Sequence, residues 1–203
     1  MVEPLPVEAV LALADAITPR YQLAVWLGFG LGLRLGEALG LTTVKVDAEA
    51  KRVYVHRQAQ NGELVELKTK ASRRTLPVDD LILAKIDEHQ KNYAVAPQGV
   101  LITNRCGRIA QRKSFNECWR EAVEKAGLPK GTRFHDLRHF YAAGLIRANL
   151  NTKVIQARLS HATIAETMDT YGHLFPDQDD LGRGAIDALL LPSITEQGRN
   201  RQS

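Results

Sequence analysis

Apolar residues recur at helical spacing near the start of the chain, at Val7, Val10, Leu11, Leu13, Ala14 and Ile17, and predict a helix over residues 7–18. After Pro19 a second, more uniformly apolar stretch over 20–33 predicts a buried helix. From Val44 the period shortens to two. The runs VKV, RVYVHRQ and ELVELK alternate as strands do, divided by an acidic turn at 47–50 and by Asn61-Gly62, a strong two-residue hairpin signal. A last short strand, TLPV, follows the basic loop KTKASRR. Beyond Leu81 helical spacing returns, and helices are expected over 81–93, 114–126, 134–148, 152–159, 163–170 and 181–190. The pattern is α+β: a mostly helical single domain with a small antiparallel three-stranded sheet set into it. No internal repeat and no linker rich in Gly, Ser or Pro divides the chain, and residues 192–203 read as a flexible tail.

Composition narrows the class. The chain has 203 residues, 44% of them hydrophobic and 25% charged, enough to bury a core without disulfide staples. Its longest apolar run, 24–33, is about half of the roughly 20 residues a membrane span requires, and Arg34 ends it, so no membrane partner is expected. The start, MVEPLPVEAV, lacks the basic and apolar regions of a signal peptide. The two cysteines, Cys106 and Cys118, fit neither a disulfide framework nor a CxxC metal pattern, and a cytoplasmic protein is expected.

Charge is informative once it is divided. Residues 51–74 carry seven Lys or Arg against two acids and residues 105–138 carry nine against four, so the rest of this +4 chain is acidic. Clustered cations on an otherwise acidic protein suit a polyanion such as duplex DNA, although solvated helix and hairpin faces produce the same count.

Taken singly, the candidate chemical residues have ordinary explanations. Arg34 falls near the predicted end of the second helix, where a cation complements the helix dipole. Lys68 and Lys70 lie in a loop between strands, where lysines solubilise. His135 and Arg138 share one helical face, and His139 shares it too, so a buried histidine or a helix ion pair is an alternative. His161 follows Leu-Ser ahead of a helix, and Tyr171 lies ten residues later in MDTYGHLF, where tyrosines are usually core residues.

Taken in order, Arg34 in GLRLGEAL, a Lys-Thr dipeptide ahead of SRRTLP, HDLRH and LSHATIAETMDTYGHL form a set that chance would rarely assemble. On these residues the chain resembles the catalytic domain of tyrosine site-specific recombinases, the group of phage integrases and Xer-type resolving enzymes, over residues 5–191. The resemblance implies the corresponding fold and site-specific DNA recombination by an integrase of phage or mobile-element type. Strands would be cut and rejoined through a covalent 3'-phosphotyrosine and a Holliday junction. It implies Tyr171 as nucleophile, Arg34 and Arg138 as phosphate-binding cations, and Lys68, favoured over Lys70, as general acid. His135 would be the general base, and His161 would hydrogen-bond the phosphate. It further implies a double-stranded attachment site, a homotetramer on DNA that is a monomer as the isolated domain, no ATP and no essential metal. On this resemblance an upstream DNA-clamp domain, usual in the family, is expected to be absent from this chain, and the helix within 181–191 would be exchanged between subunits.

The chemistry is coherent with those residue types. Phosphodiester transfer gathers negative charge on two non-bridging oxygens, which two guanidiniums can meet with paired hydrogen bonds. A tyrosine with a reference pKa of about 10 needs a proton acceptor to attack, and the leaving 5' oxygen needs a proton. The acidic run DQDD at 177–180 reads as a helix cap rather than a two-metal site. Tyr93 and Tyr141 read as packed aromatics. Two other readings share parts of the pattern: a non-catalytic DNA-binding protein that keeps the fold, and a type IB topoisomerase.

Overall fold

The computed structural model describes residues 2–67, 69 and 72–175. Helix α1, Val7–Ala16, follows Pro6 and buries Ala9, Val10, Leu13 and Ala14, the apolar stripe of the sequence. A 3₁₀ turn, Pro19–Tyr21, leads into α2, Gln22–Leu31, which is buried on most sides and forms the centre of the molecule. Gly32 stops it in a left-handed turn at φ 63, where a Cβ would lie 2.4 Å from the Tyr141 ring. Helix α3, Leu35–Leu39, is a short return from that turn.

The alternating segment folds into two separate pieces rather than one sheet. Strands β1, Val46–Asp47, β2, Arg52–Val55, and β5, Arg74–Pro77, make the three-stranded antiparallel sheet in the order β1-β2-β5. Strands β3, Arg57–Gln60, and β4, Glu63–Glu66, pair only with each other, around Asn61 and Gly62 at φ 53 and 81, the two positive values a tight two-residue hairpin requires. The run RVYVHRQ, read as one strand, changes partner at His56: its first half pairs with β5 and its second with β4. Gly40 explains where the hairpin goes, since a Cβ there would meet the Ala59 backbone nitrogen at 2.5 Å. Close packing on α3 draws β3 away from the sheet.

Five helices follow: α4, Asp80–Asn92; α5, Arg112–Lys125; α6, Phe134–Arg147; α7, Thr152–Leu159; and α8, Ile164–Tyr171. Each buries one stripe, as Ile82, Ile86 and His89 do on α4 and Phe115, Trp119, Ala122 and Val123 on α5. Helix α6 packs on α2 at Gly28, where a Cβ would come within 2.8 Å of Leu137 Cδ1. The larger core joins α1, α2, α4, α5 and the sheet. A smaller one gathers Tyr141, Ala142, Leu145, Ile146, Ile155, Leu159 and Tyr171 from α6, α7 and α8. The seam between these two cores carries the site. The helix expected at 181–190 and the tail at 192–203 lie outside the described residues, as does the DQDD run. No helix among the described residues is long and apolar enough to cross a membrane.

Candidate active site

The left-handed turn at Gly32 turns its carbonyl towards α6, where Arg138 Nη1 donates to it at 2.7 Å. Arg138 Nη2 donates to the Leu159 carbonyl at the end of α7, and Nε is buried without a partner. The residue is 1% exposed. Burial, and then the charges of Arg34 and Arg74, push its pKa down to about 9, which still leaves it protonated at neutral pH.

Arg34 stands differently from the sequence expectation. Gly32 has already ended α2, and Arg34 occupies the N-cap of α3, the end at which a helix dipole opposes a cation. Its side chain is 41% exposed, with Nη2 3.4 Å from the Ser160 carbonyl and Nη1 3.4 Å from Glu37 Oε1. Arg34 and Arg138 thus point at consecutive carbonyls, those of Ser160 and Leu159, and the end of α7 brings the two guanidiniums together. Ser160 itself is left-handed, at φ 54, and its hydroxyl is buried and unpartnered.

Beyond that turn, Thr163 caps α8 by accepting from the Glu166 amide, while Glu166 Oε2 accepts from the Ala162 amide. Helix α8 carries Tyr171 into the smaller core, where it is 1% exposed and burial pushes its pKa up to about 12. Its ring stacks parallel to that of His161, at 6.2 Å and 4°, and its hydroxyl bonds to His139 Nδ1 at 2.8 Å. His161 Nδ1 bonds to Thr167 Oγ1 at 2.9 Å. Burial, followed by the charge of Arg138, pushes His161 down to about 4. The ring is therefore neutral at pH 7, and the 3.9 Å approach of Glu166 is not an ion pair there. His135 is exposed, with its ring edge-on to that of His139 at 4.8 Å. Desolvation and then His139 and Arg138 push its pKa below the usual histidine value.

Arg34 and His135 open onto a cleft of about 810 Å³ whose walls also carry Arg112, Lys113, Arg120, Lys130 and Arg133. These are five of the nine cations of the 105–138 cluster, with Glu117 among them. The 51–74 cluster contributes less free charge than its count suggests. Lys51 pairs with Asp80, Arg57 and Arg73 share Glu66, and Arg74 is buried against Glu37.

The structure therefore brings together Arg34, His135, Arg138, His161 and Tyr171 from five positions along the chain. Lys68 and Lys70 lie outside the described residues. Tyr141 is buried in the smaller core, and Tyr93 packs at a tilt against His89, ring centres 4.9 Å apart, beneath Arg20, so both serve packing. Three members of the site were not singled out for their part in it. His139 touches the Tyr171 hydroxyl, and its four-residue spacing from His135 was the available signal. Glu37 and Arg74 form a buried ion pair behind Arg34; Glu37 was legible as the third residue after Arg34, whereas nothing local marks Arg74. No cluster of three or more His, Cys, Asp or Glu among the described residues is placed to hold a metal ion.

A sequence-family model described as the phage integrase family matches residues 4–178. A XerC-like tyrosine recombinase of Caldanaerobacter subterraneus subsp. tengcongensis is 26% identical over 184 residues, a match covering 78% of this chain and 47% of the relative. The chain spans about half the length of the curated relatives it matches. Among solved structures, the Tn1549 transposon integrase in complex with circular intermediate DNA superposes with a TM-score of 0.75 at 22% identity, covering 93% of this chain and 67% of that one. The catalytic domain of bacteriophage HP1 integrase gives a TM-score of 0.62 at 23% identity over 90% of this chain and 93% of that one. The fold expected from the sequence is the one these integrase domains have.

Proposed function

The chain belongs to the phage integrase family, and from that membership we propose that it is the catalytic domain of a site-specific DNA recombinase of phage or mobile-element type. The observation that carries the reading is the convergence of Arg34, Arg138, His161 and Tyr171 at the turn that ends α7, beside a cleft lined with cations. The sequence resemblance named these residues in order, and the fold gathers them from distant positions.

In this reading duplex DNA lies along the cleft with a phosphodiester between the two guanidiniums. Tyr171 Oη bonds to phosphorus as the bond to the 5' oxygen breaks; the phenol proton passes to a neighbouring histidine, and the 5' oxygen leaves as a hydroxyl with a proton from Lys68. Arg34 and Arg138 balance the charge gathered on the non-bridging oxygens. His161, neutral and beside Arg138, donates a hydrogen bond to the same phosphate, and His135 stands at the mouth of the cleft with Arg34. The bond energy kept in the phosphotyrosine allows a 5' hydroxyl from a second strand to reverse the step, so neither ATP nor a metal is required. A homotetramer on its attachment site, a monomeric isolated domain and an exchanged segment at 181–191 belong to the same proposal.

Arg138 and Tyr171 are both buried, so the free domain is closed, and cleavage requires the turn at Ser160 to open towards DNA. The test is formation of a covalent protein–DNA adduct on nicked duplexes that trap the cleaved state. Tyr171→Phe, which keeps the buried ring, is expected to fold and bind DNA and to give no adduct. Adduct formation by that variant, or linkage mapped to another tyrosine, would overturn the assignment. DNA binding without any adduct from the unaltered chain would favour a non-catalytic DNA-binding role. Relaxation of supercoils without Holliday junctions would point to topoisomerase chemistry.

A further inference from the structure

We propose that His139, rather than His135, accepts the phenolic proton of Tyr171 when that oxygen attacks DNA; the inference rests on the recombinase reading above. Among the described residues the partner of the Tyr171 hydroxyl is His139 Nδ1, at 2.8 Å, within the reach a general base requires. The two rings meet at 5.7 Å and 64°, and His139 is held from behind by the edge-on ring of His135. His135 faces the cleft with Arg34 and is placed for the DNA side of the reaction.

The protonation states are in the right order for transfer. His139 is 8% exposed, and burial, opposed by the charge of Asp136 and joined by those of Arg133, Arg138 and His161, holds its pKa below the usual histidine value. At neutral pH the ring therefore has one bare nitrogen, and in the tautomer that the proposal assigns this is Nδ1, which accepts from the phenol. Tyr171 in turn keeps its proton until an acceptor takes it. In the step, the Oη–phosphorus bond forms, the bond from phosphorus to the 5' oxygen breaks, and the phenol proton passes to Nδ1. Lys68 supplies the proton that the 5' oxygen takes away. Reversal returns the proton from the His139 imidazolium to the phenolate as it leaves phosphorus.

The same contact could instead serve only to hold the tyrosine in its resting position, and the two roles predict opposite effects. The experiment follows single-turnover adduct formation by the 203-residue chain on a pool of nicked duplexes with randomised arms, resolved on denaturing gels. His139→Asn places an amide near the Nδ1 position, which can hydrogen-bond but cannot take a proton. His139→Ala opens a space that free imidazole can fill. Both variants are expected to bind the pool as the unaltered chain does and to form adduct roughly 10²–10⁴-fold more slowly. Added imidazole should restore the rate of His139→Ala and leave His139→Asn slow. A His139→Asn rate close to that of the unaltered chain, or a faster His139→Ala, would overturn the proposal and make His139 a tether or a lock. Imidazole rescue of His135→Ala alone would also overturn it. Absence of adduct from the unaltered chain would instead remove the recombinase reading, and this proposal with it.

Discussion

The guanidinium of Arg74 closes on both oxygens of Glu37, Nη1 to Oε1 at 3.0 Å and Nη2 to Oε2 at 2.8 Å, and the pair is buried. Arg74 Nε also donates to the Arg158 carbonyl at 2.8 Å. One buried side chain thus ties β5, the strand that follows the loop carrying Lys68, to the helix that starts at Arg34 and to α7.

Breaking that pair should be costly. Glu37→Gln leaves a buried guanidinium without its counter-charge and is expected to lower stability by about 3–5 kcal/mol in denaturant unfolding. The acid side gives a second readout. Burial alone would raise the Glu37 carboxyl, but the hydrogen bonds and charge of Arg74, with Arg34, hold it below the usual carboxylate value. Its contribution is therefore present above the unfolded carboxylate pKa and is lost as pH falls through the lowered one. The stability of Glu37→Gln should fall less steeply than that of the unaltered chain below about pH 4.5; parallel acid profiles would contradict this.

Ser160 should be improvable. It holds a left-handed conformation that costs a non-glycine residue about 1–2 kcal/mol, and its hydroxyl is buried without a partner. Ser160→Gly is expected to raise stability by about 1 kcal/mol, measured by thermal or denaturant unfolding. A loss of stability would mean that the hydroxyl makes a compensating interaction.

The histidines predict a loss of stability in mild acid. Burial lowers His89, His139 and His161 in the folded chain, the last to about 4. Because each folded pKa lies below the unfolded value of about 6.5, stability is complete above that value and declines as pH falls from it towards 4. Tm should drop between pH 7 and pH 5, before most carboxylates titrate. A constant Tm over that interval would refute the assignment of neutral buried rings.

DNA binding by the isolated domain should be weak and strongly salt-dependent. Replacing Arg112, Lys113 and Arg120 in the cleft by Gln should flatten the plot of log K against log salt by about 0.9 for each phosphate that is no longer neutralised. The same triple change leaving the slope intact would move the DNA face elsewhere.

Lys68 can be separated from Lys70 by chemistry. A substrate with sulfur in place of the bridging 5' oxygen leaves without protonation, so it should restore cleavage to Lys68→Ala if Lys68 is the acid. Restoration of Lys70→Ala alone would reverse the assignment.

The sequence by itself determined most of the helices among the described residues and the order of the chemical residues. Helix α7 was expected over 152–159 and spans Thr152–Leu159, and Asn61-Gly62 makes the tight turn its composition demands. Periodicity and turn preference act within a few residues, so they are written locally. Tertiary structure decided the rest. A left-handed stop at Gly32 moved Arg34 from the end of one helix to the start of another, and packing against α3 split the RVYVHRQ run between two partners. Arg138 turned its guanidinium onto carbonyls 106 and 21 residues away, Arg74 found Glu37, and Tyr171 found His139 rather than His135. A charge or hydroxyl removed from water must find a partner, and which partner it meets depends on how whole elements pack; no local spacing records that choice.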